Sequence, residues 1–197
     1  MPGSLTHKLL ADATRSRHQK LDQHVALRRL LSVRPLVADY VRAMQLFYLC
    51  FYILEPVVVK YESARVVTGL DPYVRNLDAL DQDLHALNAA GNASLVNIQL
   101  PRIETTAEYL GVRYVLEGSA QGGAYIAAHL LDRLPEVDNS AFSYWALQRK
   151  TAQNWPAFLA VVAQLDSDSQ QQQHAVLSAQ QTFDIFLAVF DTVNHER

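Results

Sequence analysis

The chain has 197 residues, of which 50% are hydrophobic and 19% charged, and its formal net charge is −3. This length suits one well-buried domain, and the lack of a basic excess argues against a nucleic-acid-binding protein. The single Cys50 excludes an intramolecular disulfide and is typical of a reducing cytoplasm. Because MPGSLTHKLL lacks the apolar run of a signal peptide and LFYLCFYIL (46–54) is too short to span a bilayer, we expect a cytoplasmic protein without a membrane partner.

Apolar residues recur at spacings of three and four along most of the chain, which predicts an all-α fold, taken as a single domain over residues 1–197. The first three predicted helices run from Ser4 to Leu30, from Pro35 to Tyr61 with a kink or break at Pro56, and over 76–87. Three more are predicted from Thr105 or Thr106 to Leu134, over 143–165 with an interruption near Pro156, and from Asp168 to His195.

Three glycines lie inside the fourth predicted helix, in the segment YVLEGSAQGGAYI (114–126). A glycine in a helix interior costs about 1 kcal/mol relative to alanine, so the cluster needs a reason. Gly118 and Gly122 share one helix face with Gly123 beside them, and Tyr114 and Ile126 extend that stripe. A face without side chains permits a kink, the close packing of another helix, or contact with a flat ligand, and the spacing alone leaves these open.

One histidine of the first predicted helix fits a metal-binding pattern. His18 falls on a helix stripe and is expected to point inward; the other members of the stripe are Leu10, Thr14, Leu21 and Val25. Asp22 lies one turn later, where its carboxylate can accept the second ring N–H and leave the other nitrogen to bind a metal. An inward histidine is also a common hydrogen-bonded core residue, so this pattern leaves both roles open.

Several segments together resemble the heme oxygenase family, in particular the bacterial biliverdin-producing branch that serves bacteriophytochromes. The segment GVRYVLEGSAQGGAYI (111–126) is similar to the family's Gly-x-x-Tyr-Val-Leu-Glu-Gly-Ser-x-x-Gly-Gly-x-x-Ile motif. LLADATRSRHQKLD (9–22) resembles the family's Leu-x-x-x-Thr-x-x-x-His-x-x-Leu-acid signature. Further similarity is found in YVRAMQLFYLCFYILEP (40–56) and LDALDQDLHAL (77–87), and weakly in NWPAF (154–158) and TFDIF (182–186).

The resemblance implies a helical bundle in which heme lies between the first helix and a kinked, glycine-rich distal helix. It implies that His18 is the iron ligand and that Gly118, Ser119 and Gly122 form the catalytic face beside bound O2. Ser119 is expected to hold ordered water, in a place where animal members have aspartate. The implied heme-binding residues are His18, Asp22, Thr14, Arg15, Tyr114, Gly118, Gly122, Gly123 and Ile126.

The sequence departs from the family at the cations that hold the heme propionates. Family members often have Lys or Arg seven residues before the histidine, where this chain has Ala11. Gln121 stands where many bacterial members have leucine. The replacement cations considered, each of which also fits a solvated surface charge, are Lys8, Arg15, Arg113, Arg149 and Lys150.

The resemblance implies an enzyme that opens heme at a meso carbon to biliverdin, CO and free iron. Because the sequence shows no flavin or nicotinamide motif, the electrons are expected from an external ferredoxin- or flavin-type reductase. A bacteriophytochrome is the expected acceptor of biliverdin, with iron acquisition as the other purpose. Two alternatives stay open: a non-catalytic heme carrier or sensor with the same fold, and a related helical protein that binds another small molecule, as thiaminase-type proteins do.

Overall fold

The structure is a computed structural model that describes residues 4–91 and 98–192. Within these ranges it consists of helices without strands, which confirms the predicted all-α class. The α-helices are α1 (Leu5–Asp22), α2 (Val25–Leu30), α3 (Val37–Ala64), α4 (Leu77–Ala86), α5 (Thr106–Leu131), α6 (Ser143–Thr151), α7 (Trp155–Val162) and α8 (Ser169–Asp191). Short 3₁₀ turns occupy Asn139–Phe142, Ala152–Asn154 and Ala163–Leu165.

The prediction of one first helix from Ser4 to Leu30 is wrong, because the chain breaks after α1. Ser4 does cap the start, since its side chain accepts the N–H of His7. At the break, His24 has an extended backbone and its Nδ1 accepts the N–H of Ala26 at 3.2 Å, which caps α2. A histidine nitrogen thus replaces the usual Ser, Thr, Asp or Asn oxygen at this N-cap, which is why the sequence pattern did not show it.

Of the two predicted proline interruptions, the one near Pro156 is confirmed and the break at Pro56 is not. The predicted break at Pro56 is absent, because α3 continues through this residue from Val37 to Ala64. Buried neighbours on either side, Leu54 and Val58, hold the helix in the core despite the missing N–H. The second interruption falls at 152–154, and Pro156 lies in the first turn of α7, where no N–H donor is required.

The remaining predicted helices agree with the structure to within a few residues. Helix α4 coincides with the predicted helix over 76–87. Helix α5 begins with a capping box between Thr105 and Glu108 and ends three residues before the predicted Leu134. Helix α5 is continuous through Gly118, Gly122 and Gly123. The kink expected at these glycines stays a prediction. Helix α8 follows the N-cap Asp168, whereas the predicted end at His195 lies outside the described residues.

Helix α5 occupies the centre of the fold and positions the site. It packs against α8 and α6, while α1 packs on α8 and thereby comes to lie near α5. Helix α3, with 28 residues, is the one helix of the described ranges long and apolar enough to cross a membrane. However, 61% of its most apolar window is buried inside the protein, as in the core helix of a soluble protein.

Two buried carboxylates fix the starts of helices that are remote in sequence. Glu55 and Asp83 are each at most 1% exposed, and burial raises the pKa of both. Their oxygens accept backbone N–H groups at two helix N-termini, where a negative charge is favoured. Glu55 bonds the start of α4 and Asp83 the start of α6; the donors are the N–H groups of Asn76, Leu77, Ser143 and Tyr144.

A third carboxylate, Asp166, fixes the start of α1. It accepts hydrogen bonds from the hydroxyl and N–H of Thr6, from the Ser4 hydroxyl, and from the N–H of Leu5. These hydrogen bonds, those of Thr6 foremost, lower the pKa of Asp166 to about 2. The contact matters for the site because α1 contains His18.

Asp166 is expected to make the protein acid-sensitive in a defined pH window. Folding lowers the pKa of Asp166 from 3.8 to about 2, so its ionised carboxylate stabilises the folded protein fully above pH 3.8. This stabilisation is lost as the pH falls from 3.8 to about 2. Asp166→Asn should therefore weaken the dependence of the urea midpoint on pH between these values. Asp132→Asn, at the exposed end of α5, is the control. A D166N variant with the wild-type pH dependence would contradict this assignment.

Candidate functional site

A cavity of about 610 Å³ lies between α1 and α5. Helix α1 supplies one wall, the glycine segment of α5 supplies the facing wall, and aromatic side chains from α3, α6, α7 and α8 close the space between them. Every site residue named from the sequence lines this cavity: Thr14, Arg15, His18, Asp22, Tyr114, Gly118, Ser119, Gly122, Gly123 and Ile126. The structure thus brings together two motifs that lie about a hundred positions apart in the sequence.

The His18 ring faces the open cavity instead of the core. The side chain is 62% exposed, so His18, expected to point inward, lines the cavity and is not a buried core residue. Its Nδ1 lies 2.8 Å from Oδ2 of Asp22, and the Phe183 ring packs 5.8 Å away at an angle of 62°. The predicted carboxylate–histidine pair is therefore formed through Nδ1, and Nε2 lies on the other side of the ring.

The three clustered glycines serve two different purposes. A Cβ atom built on Gly122 would meet nothing within 4 Å, and one on Gly118 would make an ordinary contact of 3.5 Å with Trp155. A Cβ atom on Gly123 would lie 2.8 Å from Cβ of Gln148, too close for two side chains. Gly122 therefore leaves open space in the cavity wall, whereas Gly123 lets α5 and α6 pack closely.

Alanine substitutions at Gly122 and Gly123 are expected to change stability in opposite directions. Gly122→Ala should raise the free energy of unfolding by about 0.5–1 kcal/mol, because alanine favours the helix and its methyl enters open space. Gly123→Ala should lower it by about 1–3 kcal/mol, because the new methyl is forced against Gln148. Urea unfolding of both variants tests this pair. If both substitutions changed the free energy of unfolding in the same direction, the two glycines would not have the separate roles assigned to them.

Polar groups of α5 that face the cavity have defined hydrogen-bonding roles. The Ser119 hydroxyl donates to the carbonyl of Leu116 at 2.7 Å, so toward the cavity it can accept a hydrogen bond but not give one. Burial raises the pKa of Tyr114, which keeps its phenol protonated and able to donate. Gln121 donates from Nε2 to the carbonyl of Ala152 at 2.7 Å and ties α5 to the segment before α7.

The sequence did not assign most of the aromatic lining of the cavity. Phe183 and Phe186 come from α8, and Trp155 stacks on Phe158 at 5.5 Å in α7. The weak family similarity at 154–158 and 182–186 was the available signal for these residues. The further aromatic lining residues are Phe47, Tyr144 and Trp145.

Of the five cations considered for the propionates, Arg15 alone lines this cavity among residues 4–91 and 98–192. Arg15 forms an exposed ion pair with Asp12. Arg113 is not a solvated surface charge: it is 3% exposed and pairs with Glu117 and Glu62 behind α5. Arg149 lines a separate, smaller cavity of about 290 Å³.

These features fit heme as the ligand. The volume lies within the roughly 300–1,000 Å³ usual for small-molecule sites, and the lining is largely apolar with a few polar groups. One wall presents an imidazole with its second nitrogen bonded to a carboxylate, and the other presents backbone without side chains. Fold and site together define an all-helical protein with a histidine-bearing cavity suited to a flat, iron-containing ligand.

Comparison with known proteins gives the family. The sequence model of the heme oxygenase family, described as "Heme oxygenase", matches residues 4–192, and the chain belongs to this family. A protein of Xanthomonas campestris pv. campestris (strain 8004) named heme oxygenase is 32% identical over 111 residues, which span 56% of this chain and 64% of that protein. The NO- and CO-bound heme oxygenase from Neisseria meningitidis has a similar fold, with a TM-score of 0.72 at 19% identity over 96% of this chain and 91% of that one.

Proposed function

We propose that this protein is a cytoplasmic, single-domain heme oxygenase that opens heme at a meso carbon to biliverdin, CO and free iron. The observation that supports the proposal is the placement of the His18–Asp22 pair and the bare Gly118–Gly122 face on opposite walls of one cavity. Heme is the substrate, and its iron supplies the chemistry of O2 activation. The protein binds this substrate, orients it and limits the access of water.

On the α1 side, His18 would hold the iron through Nε2. Asp22 accepts the Nδ1–H of the ring and so fixes both its tautomer and its orientation. The edge of Phe183 restricts rotation of the ring from the side of α8. A neutral imidazole held in this way is the ligand expected for iron that binds O2, in contrast to a thiolate.

On the α5 side, the missing side chains of Gly118 and Gly122 would leave room for O2 between helix and macrocycle. A larger side chain at Gly122 would occupy this space, since a Cβ atom there points into it. Ser119 Oγ can accept a hydrogen bond from an ordered water, which in turn can donate to the oxygen site. Trp155 and the other aromatic lining residues exclude bulk water from this region.

Arg15 is the cation we assign to the heme propionates. It lines the cavity three residues before His18, and its side chain is 66% exposed, so it would be able to pair with a propionate that reaches solvent. Its partner Asp12 would then compete with a propionate for the guanidinium. This position differs from the usual family position, where this chain has Ala11.

The electrons are assigned to a ferredoxin- or flavin-type reductase and the biliverdin to a bacteriophytochrome. Both assignments are supported by the resemblance of residues 111–126 to the bacterial biliverdin-producing branch. In the part of the chain that the structure describes, Arg15 is the one Lys or Arg that lines the cavity, and this favours the second candidate, a heme carrier or sensor without turnover.

One absorption experiment separates these functions. The purified protein is titrated with hemin and then reduced in air with ascorbate or a ferredoxin system. The oxygenase is expected to show a Soret band at one heme per chain, followed by its loss and the rise of biliverdin absorption. A stable Soret band under reduction would establish the carrier, and the lack of any saturable heme spectrum would overturn both.

A further inference from the structure

Gln148 lies directly behind the glycine wall of the cavity. It is 1% exposed, and its Cβ, Cγ and Oε1 would lie 2.8, 2.9 and 3.1 Å from a Cβ atom on Gly123. Gln148 therefore packs against the bare backbone of α5 at Gly123, whereas Gly122, one residue earlier, borders open space. The α5 backbone and the Gln148 side chain are in direct contact at this point.

The amide of Gln148 is held by a buried polar network. Its Nε2 donates to Oδ1 of Asn76 at 2.5 Å, and Nδ2 of Asn76 donates to the Tyr73 hydroxyl at 2.8 Å. The Tyr73 hydroxyl and the Asn76 N–H both donate to Oε1 of Glu55. A rigid chain of hydrogen bonds thus runs from α3, through the start of α4, to the back of the glycine helix.

The Gln148 amide is hydrogen-bonded at Nε2 but not at Oε1. Among the described residues, Oε1 of Gln148 has no hydrogen-bond donor, although the atom is fully buried. An apolar side chain of the same length would remove the unsatisfied acceptor at Oε1, but it would leave Oδ1 of Asn76 buried without the donor that Nε2 provides. The glutamine therefore serves its bond to Asn76, which joins α6 to the start of α4 directly beside the glycine segment.

We propose that Gln148 is a positioning residue that fixes the distance of the Gly122–Gly123 backbone from the bound ligand. This inference rests on the proposed heme function. Its anchor to Asn76 keeps the side chain extended against α5, so the helix cannot settle closer to α6. Loss of the anchor lets the glycine segment move away from the cavity and widens the space over the iron.

The first test uses the heme-free protein. Gln148→Met keeps the length of the side chain and removes the bond to Asn76, and Asn76→Ala removes the same bond from the other side. Amide hydrogen exchange over 118–126 should accelerate about tenfold or more in each variant. The matched control is Gln45→Met, because Gln45 on α3 donates from Nε2 to the carbonyl of Ala90 at 3.0 Å and does not line the cavity. Equal exchange of 118–126 in all four proteins would overturn the inference.

The second test uses the heme complex. In Q148M and N76A, the pH at which the ferric spectrum changes between its acid and alkaline forms should shift by about half a unit or more, and the shift in the double variant should not be additive. The ratio of biliverdin isomers should also change, whereas Q45M should match the wild type in both measurements. Should Q148M fail to fold, N76A gives the same reading.

The outcomes separate the two proposals. A wild-type protein that binds no heme would overturn the proposed function and this inference together. A wild-type protein that binds heme, with Q148M and N76A unchanged in spectrum, isomer ratio and exchange, would overturn the inference alone. A loss of stability in Q148M with an unchanged spectrum would likewise reduce Gln148 to ordinary core packing.

Discussion

Replacement of His18 with alanine is expected to abolish the heme spectrum of the protein while leaving its fold intact. The ring provides the only nitrogen that the proposal gives to the iron, so affinity for hemin should fall by more than the roughly 10–100-fold typical of losing a supporting residue such as Asp22. Because the side chain is 62% exposed, the free energy of unfolding should change by no more than about 0.5 kcal/mol. Hemin titration and urea unfolding measure the two effects separately.

A neighbouring histidine provides the control for this prediction. His7 also lies on α1, with its ring 6.1 Å from those of Tyr114 and Trp155, but it does not line the cavity. His7→Ala should keep the Soret band, and added imidazole should restore a ligated spectrum to H18A. Retention of the wild-type spectrum by H18A without imidazole would show that the iron has a different ligand.

The two walls of the site were predictable because each is a local pattern on one helix. His18 and Asp22 are four residues apart, as are Gly118 and Gly122, so helical periodicity alone places each pair on a common face. The start of α5 was predictable for the same reason, since a capping box depends on residues three apart. The family resemblance then identified the two faces as opposing walls, which periodicity does not do.

The remaining parts of the site depend on tertiary contacts that leave no periodic signal. Phe183 joins the cavity only because α1 packs on α8, and Trp155 reaches Gly118 only because the chain turns before α7. The sequence did not predict the exposure of side chains whose surroundings are formed by another helix. His18 borders an open cavity, so it is exposed despite its position on the stripe, whereas Arg113 is buried because Glu62 of α3 reaches it.

Arg113 is the centre of a buried charge network behind the cavity. Its side chain is 4% exposed and pairs with Glu117, itself 8% exposed, and with Glu62 at 3.2 Å. It also donates to the hydroxyl of Tyr109 at 2.7 Å and to the carbonyl of Asp71 at 2.8 Å. The guanidinium thus has polar partners on three sides. Its positive charge compensates the negative charges of the Glu62 and Glu117 carboxylates.

Arg113→Met is therefore expected to lower the free energy of unfolding by about 3–5 kcal/mol, because it leaves the carboxylate of Glu117 buried without a cation. The double variant R113M/E117L should recover much of this loss, since it removes both buried charges together. Urea unfolding measures both effects. Arg15→Met is the matched control, because its exposed ion pair with Asp12 should contribute less than about 1 kcal/mol.

The R15M and R113M/E117L variants also separate effects on stability from effects on hemin binding. Arg15 lines the cavity and Arg113 does not, so R15M should weaken hemin binding in a stable protein. R113M/E117L should instead bind hemin with nearly wild-type affinity once its fold is restored. Weakened binding by the restored double variant would mean that Arg113 reaches the propionates after all, which would require the network of Glu62 and Glu117 to open when heme binds.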